Sequence, residues 1–165
     1  MKDLDAIALE IGEHLKKKRQ LLVTAESCTG GWAAQVVTSV GGSSEWFERG
    51  FVTYSNDAKH ELLGVEKSTL DAHGAVSEET AREMALGALR RSKATLALSI
   101  TGVAGPTGGT REKPVGTVCF AWARGSAVRS ETRHFAGDRE AVRRQSVVHA
   151  LEGVIGFLEE KGHRG

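Results

Sequence analysis

The chain has little cysteine, proline or aromatic character, and each shortage excludes a class of protein. Its two cysteines, Cys28 and Cys119, are too few for a disulfide framework, which indicates a reducing, cytoplasmic setting. No apolar run approaches membrane-spanning length and the polar start is not a secretory signal, so no membrane partner is expected. A formal net charge of +1 at pH 7 argues against a nucleic-acid partner.

What is present is a regular alternation of helical and strand patterns, which predicts one domain over residues 1–165. The order of these patterns is typical of an α/β fold, and it predicts a three-layer α/β/α sandwich with a mixed, mostly parallel sheet. The last two strands are expected to form a hairpin around Gly125 and Ser126. The expected helices lie at about 4–19, 30–40, 55–63, 68–72, 77–93 and 138–158, and the strands at about 20–25, 50–54, 94–100, 115–123 and 127–135.

The heptapeptide Ala-Glu-Ser-Cys-Thr-Gly-Gly at 25–31 joins the first strand to a helix. Such a turn lies at the ligand-binding edge of an open α/β sheet, and the following helix N-terminus offers free N–H groups to an anion. Ser27 is a candidate nucleophile, while Thr29, Gly30 and Gly31 are candidates to approach a ligand closely. Two alternatives stay open: Ser27 or Thr29 only caps the helix, or Cys28 is the nucleophile.

Lys59 is the second candidate, because it lies in the first turn of a predicted helix, where the helix dipole disfavours an ammonium group. Desolvation by the sheet would lower its pKa and make it a general base for Ser27, with the phenol of Tyr54 orienting or relaying the proton. The alternative is that Lys59 is a surface lysine and Tyr54 an ordinary strand aromatic.

Two further segments could bind a substrate. Thr101 leads into a glycine-rich loop at 102–109, which includes Gly102 and Gly105 and fits a phosphate or a flat ring, although its spacing matches neither a dinucleotide motif nor a P-loop. Arg139 and Arg143 share one helix face and could hold an anion between them. Alternatively, Asp138 caps this helix and Glu140 pairs with Arg144. The histidines show no metal-ligand spacing, so no metal is expected.

Six motifs in register resemble the CinA C-terminal-domain family, from about residue 15 to about residue 151. The motifs are AESCTGG at 25–31, GFVTYSN at 50–56 followed by Lys59, HGAVS at 73–77, TGVAGP at 101–106, KPVGT at 113–117 and GDR at 137–139. The resemblance implies a stand-alone member that hydrolyses nicotinamide mononucleotide to nicotinate mononucleotide and ammonia.

The same resemblance implies Ser27 as nucleophile, Lys59 as its base and Tyr54 as an accompanying hydroxyl, with no cofactor. It implies that Arg139 or Arg143, from the same or a neighbouring subunit, meets the substrate's phosphate, so a homo-oligomer with its site near a subunit interface is expected. N–H groups at the start of the helix after Gly30 are expected to stabilise the oxyanion. Two other functions stay open, namely a non-catalytic pyridine-nucleotide-binding module linked to competence or DNA damage, and an amidase for another small carboxamide.

Overall fold

The computed structural model describes residues 3–160, which form a five-stranded sheet between two layers of helices. A short 3-10 turn at Ser43–Glu45 precedes the second strand. The strands are β1 (Leu22–Glu26), β2 (Phe47–Val52), β3 (Leu96–Gly102), β4 (Thr117–Arg124) and β5 (Ala127–His134), and the helices are α1 (Leu4–Lys17), α2 (Trp32–Thr38), α3 (Asn56–Leu63), α4 (Lys67–His73), α5 (Glu78–Arg90) and α6 (Arg139–Glu159).

The sheet has the strand order β2-β1-β3-β4-β5. β1 is parallel to both of its neighbours, whereas β4 is antiparallel to both β3 and β5. Four of the five strands in residues 3–160 therefore run in one direction, which confirms the predicted mixed, mostly parallel sheet. The hairpin around Gly125 and Ser126 is also present, between β4 and β5.

Apolar side chains cover both faces of the sheet, because alternate residues of each strand point to opposite sides. On β3, Leu98 packs into a cluster with residues of α1, α2 and α6, while Ala97 packs into a second cluster with residues of α5. The second cluster also contains Leu63 of α3. These two cores confirm the three-layer arrangement. Among residues 3–160, no helix has both the length and the apolar character needed to cross a bilayer.

Contact between α3 and α5 depends on a glycine. A Cβ at Gly87 of α5 would lie 1.8 Å from the carbonyl oxygen of Leu63, so only glycine lets the two helices approach this closely. The end of α3 is thereby fixed against a long helix that itself packs on β3 and β4. Because α3 carries Lys59, this close packing also fixes the backbone of the candidate base.

The first two strands have bounds that differ from the sequence prediction. β2 starts at Phe47 rather than Gly50, because Phe47 and Arg49 pair with Leu22 and Val23 of β1 across a register shift. Its polar Glu48 and Arg49 concealed this part of an edge strand. β1 extends to Glu26, which is fully buried, and a carboxylate at the end of an apolar run gave no strand signal.

Candidate active site

The ends of three parallel strands bring the candidate residues to one edge of the sheet. Ser27 follows β1, Tyr54 lies two residues beyond β2, and Thr101 and Gly102 end β3. Because parallel strands end at the same edge, these residues meet around one small cavity of about 150 Å³. The cavity is lined by Ser27, Cys28, Tyr54, Lys59, Ala75, Val76, Thr101, Gly102, Ala104 and Arg139.

Lys59 is buried, with only 1% of its surface exposed, and its amine points at the candidate nucleophile. Its Nζ lies 3.0 Å from the Oγ of Ser27, 3.0 Å from the carbonyl oxygen of Thr53 and 3.1 Å from that of Tyr54. Burial lowers the pKa of Lys59 to about 8, because the ammonium loses its hydration, while nearby Cys28 acts in the opposite direction. At pH 7 about one-tenth of the molecules would therefore carry a neutral amine at this position.

Ser27 is anchored by its backbone and is reached by Lys59 through its side chain. Its amide donates to the carbonyl oxygen of Ile100 over 2.9 Å, which ties the turn to β3. Its hydroxyl lies 3.4 Å from the carbonyl oxygen of Tyr54 and accepts from Lys59. A hydroxyl between a carbonyl acceptor and an amine has the arrangement of a nucleophile next to its base.

Cys28 is a poorer nucleophile than Ser27 in this setting. Burial raises the pKa of its thiol to about 11, and the charges of Arg143 and Lys59 only partly oppose that effect. The thiol is therefore neutral near pH 7, whereas the Ser27 hydroxyl has an amine at 3.0 Å. This comparison favours Ser27 between the two nucleophiles that the sequence left open.

Tyr54 contacts Lys59 through its backbone carbonyl, whereas the sequence predicted a contact through its phenol. The carbonyl oxygen of Tyr54 accepts from Lys59 Nζ, but the residue is 63% exposed and its phenol accepts from Arg139 Nη2 over 3.2 Å. Within residues 3–160 no hydrogen bond joins the phenol to Ser27 or Lys59. The expected contact of the phenol with these two residues is therefore corrected, because the side chain points outward beyond the end of β2.

Glu26 is a residue of this site that sequence reasoning missed. Its buried carboxylate accepts from the hydroxyl of Thr29 at 2.6 Å and from the amides of Ala33 at 2.8 Å and Ala34 at 3.1 Å. The amide of Trp32 donates to the carbonyl oxygen of Thr29. The amides of Trp32, Ala33 and Ala34 are therefore already hydrogen-bonded, and stabilisation of an oxyanion by N–H groups of the preceding turn stays a prediction. The available signal was a carboxylate at the start of the turn that leads from a strand into a helix.

Thr29, Gly30 and Gly31 form the turn behind the cavity and are not among its lining residues. Thr29 is fully buried, and the two glycines adopt left-handed backbone angles, with φ of 60° and 102°. Arg143 supports this turn from α6, since its Nε donates to the carbonyl oxygen of Cys28 at 3.0 Å and its Nη2 to that of Thr29 at 3.1 Å. These three residues shape the turn, and their direct contact with a ligand stays a prediction.

Arg139 lines the cavity and links the glycine-rich loop to Tyr54. Its Nη1 donates to the carbonyl oxygen of Gly105 at 2.8 Å, and its Nη2 donates to the phenol of Tyr54. On the opposite wall, the hydroxyl of Thr101 donates to the carbonyl oxygen of Ala75 at 2.8 Å and holds that segment in place. Arg139 also lines a second, outer cavity of about 500 Å³, together with Trp32, Glu140 and Arg143.

The α6 helix that carries both arginines is capped by Asp138, whose carboxylate accepts from the amide of Ala141 at 2.9 Å. The helix cap by Asp138, which the sequence offered as part of an alternative to an anion site, is therefore present together with the two arginines. The guanidinium of Arg143 lies 5.5 Å from the ring centre of Trp32, a cation–π distance. Among residues 3–160, no group of histidine, cysteine, aspartate or glutamate is arranged to hold a metal ion.

Comparison with known proteins places this arrangement in a family. The sequence-family model of the CinA C-terminal domain matches residues 4–158. The nicotinamide-nucleotide amidohydrolase PncC of Escherichia coli (strain K12) is 53% identical over 152 residues, covering 91% of this chain and 92% of that protein. The protein of the same name from Pseudomonas putida is 51% identical, covering 94% and 97%.

Solved structures agree with the fold. The crystal structure of competence/damage inducible protein CihA from Agrobacterium tumefaciens superimposes with a TM-score of 0.92 at 43% sequence identity. The match covers 97% of this chain and 98% of that one. The sheet order and the helix layers described above are therefore those of a known architecture.

Proposed function

Since the chain belongs to the CinA C-terminal-domain family, we propose that it hydrolyses the carboxamide of nicotinamide mononucleotide, giving nicotinate mononucleotide and ammonia. The named activity of its PncC relatives supports this substrate. The single observation that carries the mechanism is the buried amine of Lys59, 3.0 Å from the hydroxyl of Ser27. We propose that these two residues are the base and the nucleophile.

In the first half of the reaction, the neutral amine of Lys59 takes the hydroxyl proton as Ser27 Oγ attacks the carboxamide carbon. The resulting ammonium lies beside the tetrahedral intermediate, where its positive charge stabilises the developing oxyanion in a largely desolvated cavity. Lys59 then gives the proton to the leaving nitrogen, the C–N bond breaks, and ammonia departs. An acyl ester remains on Ser27.

In the second half, a water molecule attacks the ester with Lys59 again acting as base. The C–O bond to Ser27 breaks, the serine regains its proton from Lys59, and the carboxylate product leaves. The net change is one amide and one water converted into one carboxylic acid and one ammonia. No cofactor enters this proposal, because the amine and hydroxyl supply both proton transfer and attack.

The two cavities suggest how a nucleotide would lie. The inner cavity of about 150 Å³ is smaller than the roughly 300–1,000 Å³ of typical small-molecule sites, so it holds only the carboxamide end of the substrate. We propose that the phosphate extends into the outer cavity, towards Arg139 and Arg143. Few residues wall that outer cavity, so we further propose that it is completed near a subunit interface of a homo-oligomer. The two free, buried cysteines fit the proposed cytoplasmic location.

The test is release of ammonia from nicotinamide mononucleotide by the purified protein without added metal. We expect Ser27→Ala to lower kcat by at least about 10³-fold while binding persists, since removal of a nucleophile eliminates the acyl step. Ser39→Ala, on the far end of α2, is the matched control and should stay active. An active Ser27→Ala with an inactive Cys28→Ala would show that the nucleophile is wrongly assigned. Ligand-induced stabilisation without turnover would favour a binding module instead.

A second candidate substrate class is favoured by the small inner cavity, which fits any compact carboxamide as well as a nucleotide. A panel of carboxamides with and without a phosphate distinguishes the two. If the nucleotide is the substrate, kcat/KM should fall sharply when the phosphate is removed. Equal kcat/KM across the panel would identify an amidase for another small carboxamide.

A further inference from the structure

Glu26 precedes the candidate nucleophile directly, and it has no place in the proton transfers described above. We propose that Glu26 is a positioning residue, whose buried carboxylate fixes the turn that presents Ser27 to Lys59. This inference rests on the proposed function for its kinetic test, although its geometric part can be tested without the substrate. The inference adds to Ser27 and Lys59 a residue that holds the turn of Ser27 in place.

The carboxylate is surrounded by donors from the turn that it serves. Glu26 is fully buried and accepts from the hydroxyl of Thr29 and from the amides of Ala33 and Ala34. These donors lie three, seven and eight residues along the chain, so one side chain closes the turn onto the start of α2. Three donors need acceptors, and an ionised carboxylate has only acceptor oxygens and no hydrogen to direct at them. A glutamine of the same size would direct its own N–H groups at those donors.

The other side of the turn is held by a cation in the complementary way. Arg143 donates to the carbonyl oxygens of Cys28 and Thr29. A cation therefore holds the carbonyl oxygens of the turn, while an anion holds the Thr29 hydroxyl and the first N–H groups of α2. Charged hydrogen bonds of this kind are stronger than neutral ones, so they define the backbone path closely.

The reactive distance depends on this turn because its two atoms come from separate crossings of the sheet. Ser27 is set by β1 and the turn to α2, whereas Lys59 is set by α3 packed on α5. If the turn relaxes, Ser27 Oγ moves while Lys59 Nζ stays in place. A displacement of about 1 Å in a reacting atom can lower the rate by about 10²-fold.

The kinetic test compares Glu26→Gln with the unmodified protein on nicotinamide mononucleotide. We expect kcat to fall about 10²-fold with KM within about threefold, because the nucleophile is misplaced and the substrate contacts remain. The rise of the rate with pH should keep its midpoint, because the pKa of the Lys59 amine is lowered by burial and not by the charge of Glu26. A shifted midpoint would indicate that Glu26 takes part in proton transfer and would overturn a purely positioning role.

A double-mutant cycle with Thr29→Val tests whether the effect passes through the hydrogen bonds described. Thr29 donates to Glu26 at 2.6 Å, so Thr29→Val should lower kcat in the unmodified protein but have little further effect in Glu26→Gln. Additive losses would overturn the inference. Amide hydrogen exchange at Ala33 and Ala34 should be at least about tenfold faster in Glu26→Gln, and unchanged exchange would show that the carboxylate does not hold them.

A fluorophosphonate reagent separates failure of this inference from failure of the proposed function. Its phosphorus forms a bond to Ser27 Oγ as fluoride leaves and the hydroxyl proton passes to Lys59, so no nucleotide is needed. Labelling of Ser27 should be about 10²-fold slower in Glu26→Gln. Ser99→Ala, on β3 of the same sheet, is the control, because it removes a buried hydrogen bond to the carbonyl oxygen of Ala81 in α5. It should lower the melting temperature and leave labelling unchanged.

If the unmodified protein labels well but does not turn over nicotinamide mononucleotide, the substrate assignment fails, and slower labelling of Glu26→Gln still supports the role of Glu26. If Glu26→Gln labels as fast as the unmodified protein, the positioning role fails, whatever the substrate is. A slowed Ser99→Ala would likewise overturn it, because general loss of stability would then explain both results.

Discussion

The low pKa of Lys59 leads to a linked prediction for stability and activity, with Lys59→Met as the perturbation. The folded protein holds this pKa at about 8, well below the ordinary lysine value of 10.5, because the buried ammonium is desolvated. At 1.36 kcal/mol per unit, the charged amine costs about 3 kcal/mol of folding free energy at pH 7. The cost is fully present below pH 8, where the ammonium is charged in both states.

Between pH 8 and 10.5 the unfolded chain binds more protons at this position than the folded protein does. The free energy of unfolding of the unmodified protein should therefore rise with pH across that window, relative to Lys59→Met, by about 3 kcal/mol in total. Taking the difference between the two proteins cancels other groups that titrate there. The activity should follow the neutral amine, with kcat/KM rising about tenfold per pH unit below pH 7 and levelling above pH 9.

The assay is denaturant unfolding of both proteins at pH 7 and pH 10.5, combined with a pH profile of ammonia release by the unmodified protein. Parallel stability curves for the two proteins would refute the depressed pKa. A profile without an inflection near pH 8 would refute Lys59 as the base. Lys59→Arg, which keeps a charge at every accessible pH, should be inactive throughout the range.

Other parts of the site give three further predictions. Arg139→Met should raise KM for nicotinamide mononucleotide by about tenfold or more and leave the kinetics of a phosphate-free carboxamide unchanged, as steady-state assays would show. Gly87→Ala should lower the free energy of unfolding by about 1–3 kcal/mol in urea titrations and reduce kcat as well, because its Cβ would collide with the carbonyl oxygen of Leu63, at the end of the helix that carries Lys59. Alkylation of Cys28 by iodoacetamide should accelerate only towards pH 11, and fast alkylation at pH 7 would contradict its raised pKa.

The parts of the site that the sequence predicted are those set by local patterns. Ser27 lies in a turn between an apolar strand and a helix, and Lys59 lies in the first turns of a helix that begins with a serine cap. Each position is visible within about ten residues. Because both segments follow parallel strands, the rule that such strands end at one edge was enough to bring them together.

The parts that could not be predicted depend on how distant segments face each other. Spacing places Arg139 and Arg143 on one face of α6, but only the packing of α6 shows that Arg143 binds the Ser27 turn while Arg139 reaches Gly105 and Tyr54. The direction of the backbone beyond β2 likewise decides that Tyr54 reaches Lys59 with its carbonyl oxygen and not with its phenol. No role was predicted for Glu26 because a buried carboxylate is rare in a strand, and its partners belong to the turn and the following helix.

The division of charges explains how one small region contains an anion, a cation and a weakly basic amine. Glu26 binds N–H and O–H donors, and Arg143 binds carbonyl oxygens, so each of these charges is satisfied by the turn and the start of α2. Within residues 3–160, the hydrogen bonds of the Lys59 amine lead only to neutral oxygens, those of Ser27, Thr53 and Tyr54. A carboxylate beside Lys59 would stabilise the ammonium, raise its pKa and remove the base. The site therefore requires a carboxylate near Ser27 for its shape, and requires that carboxylate to be directed away from Lys59 for its chemistry.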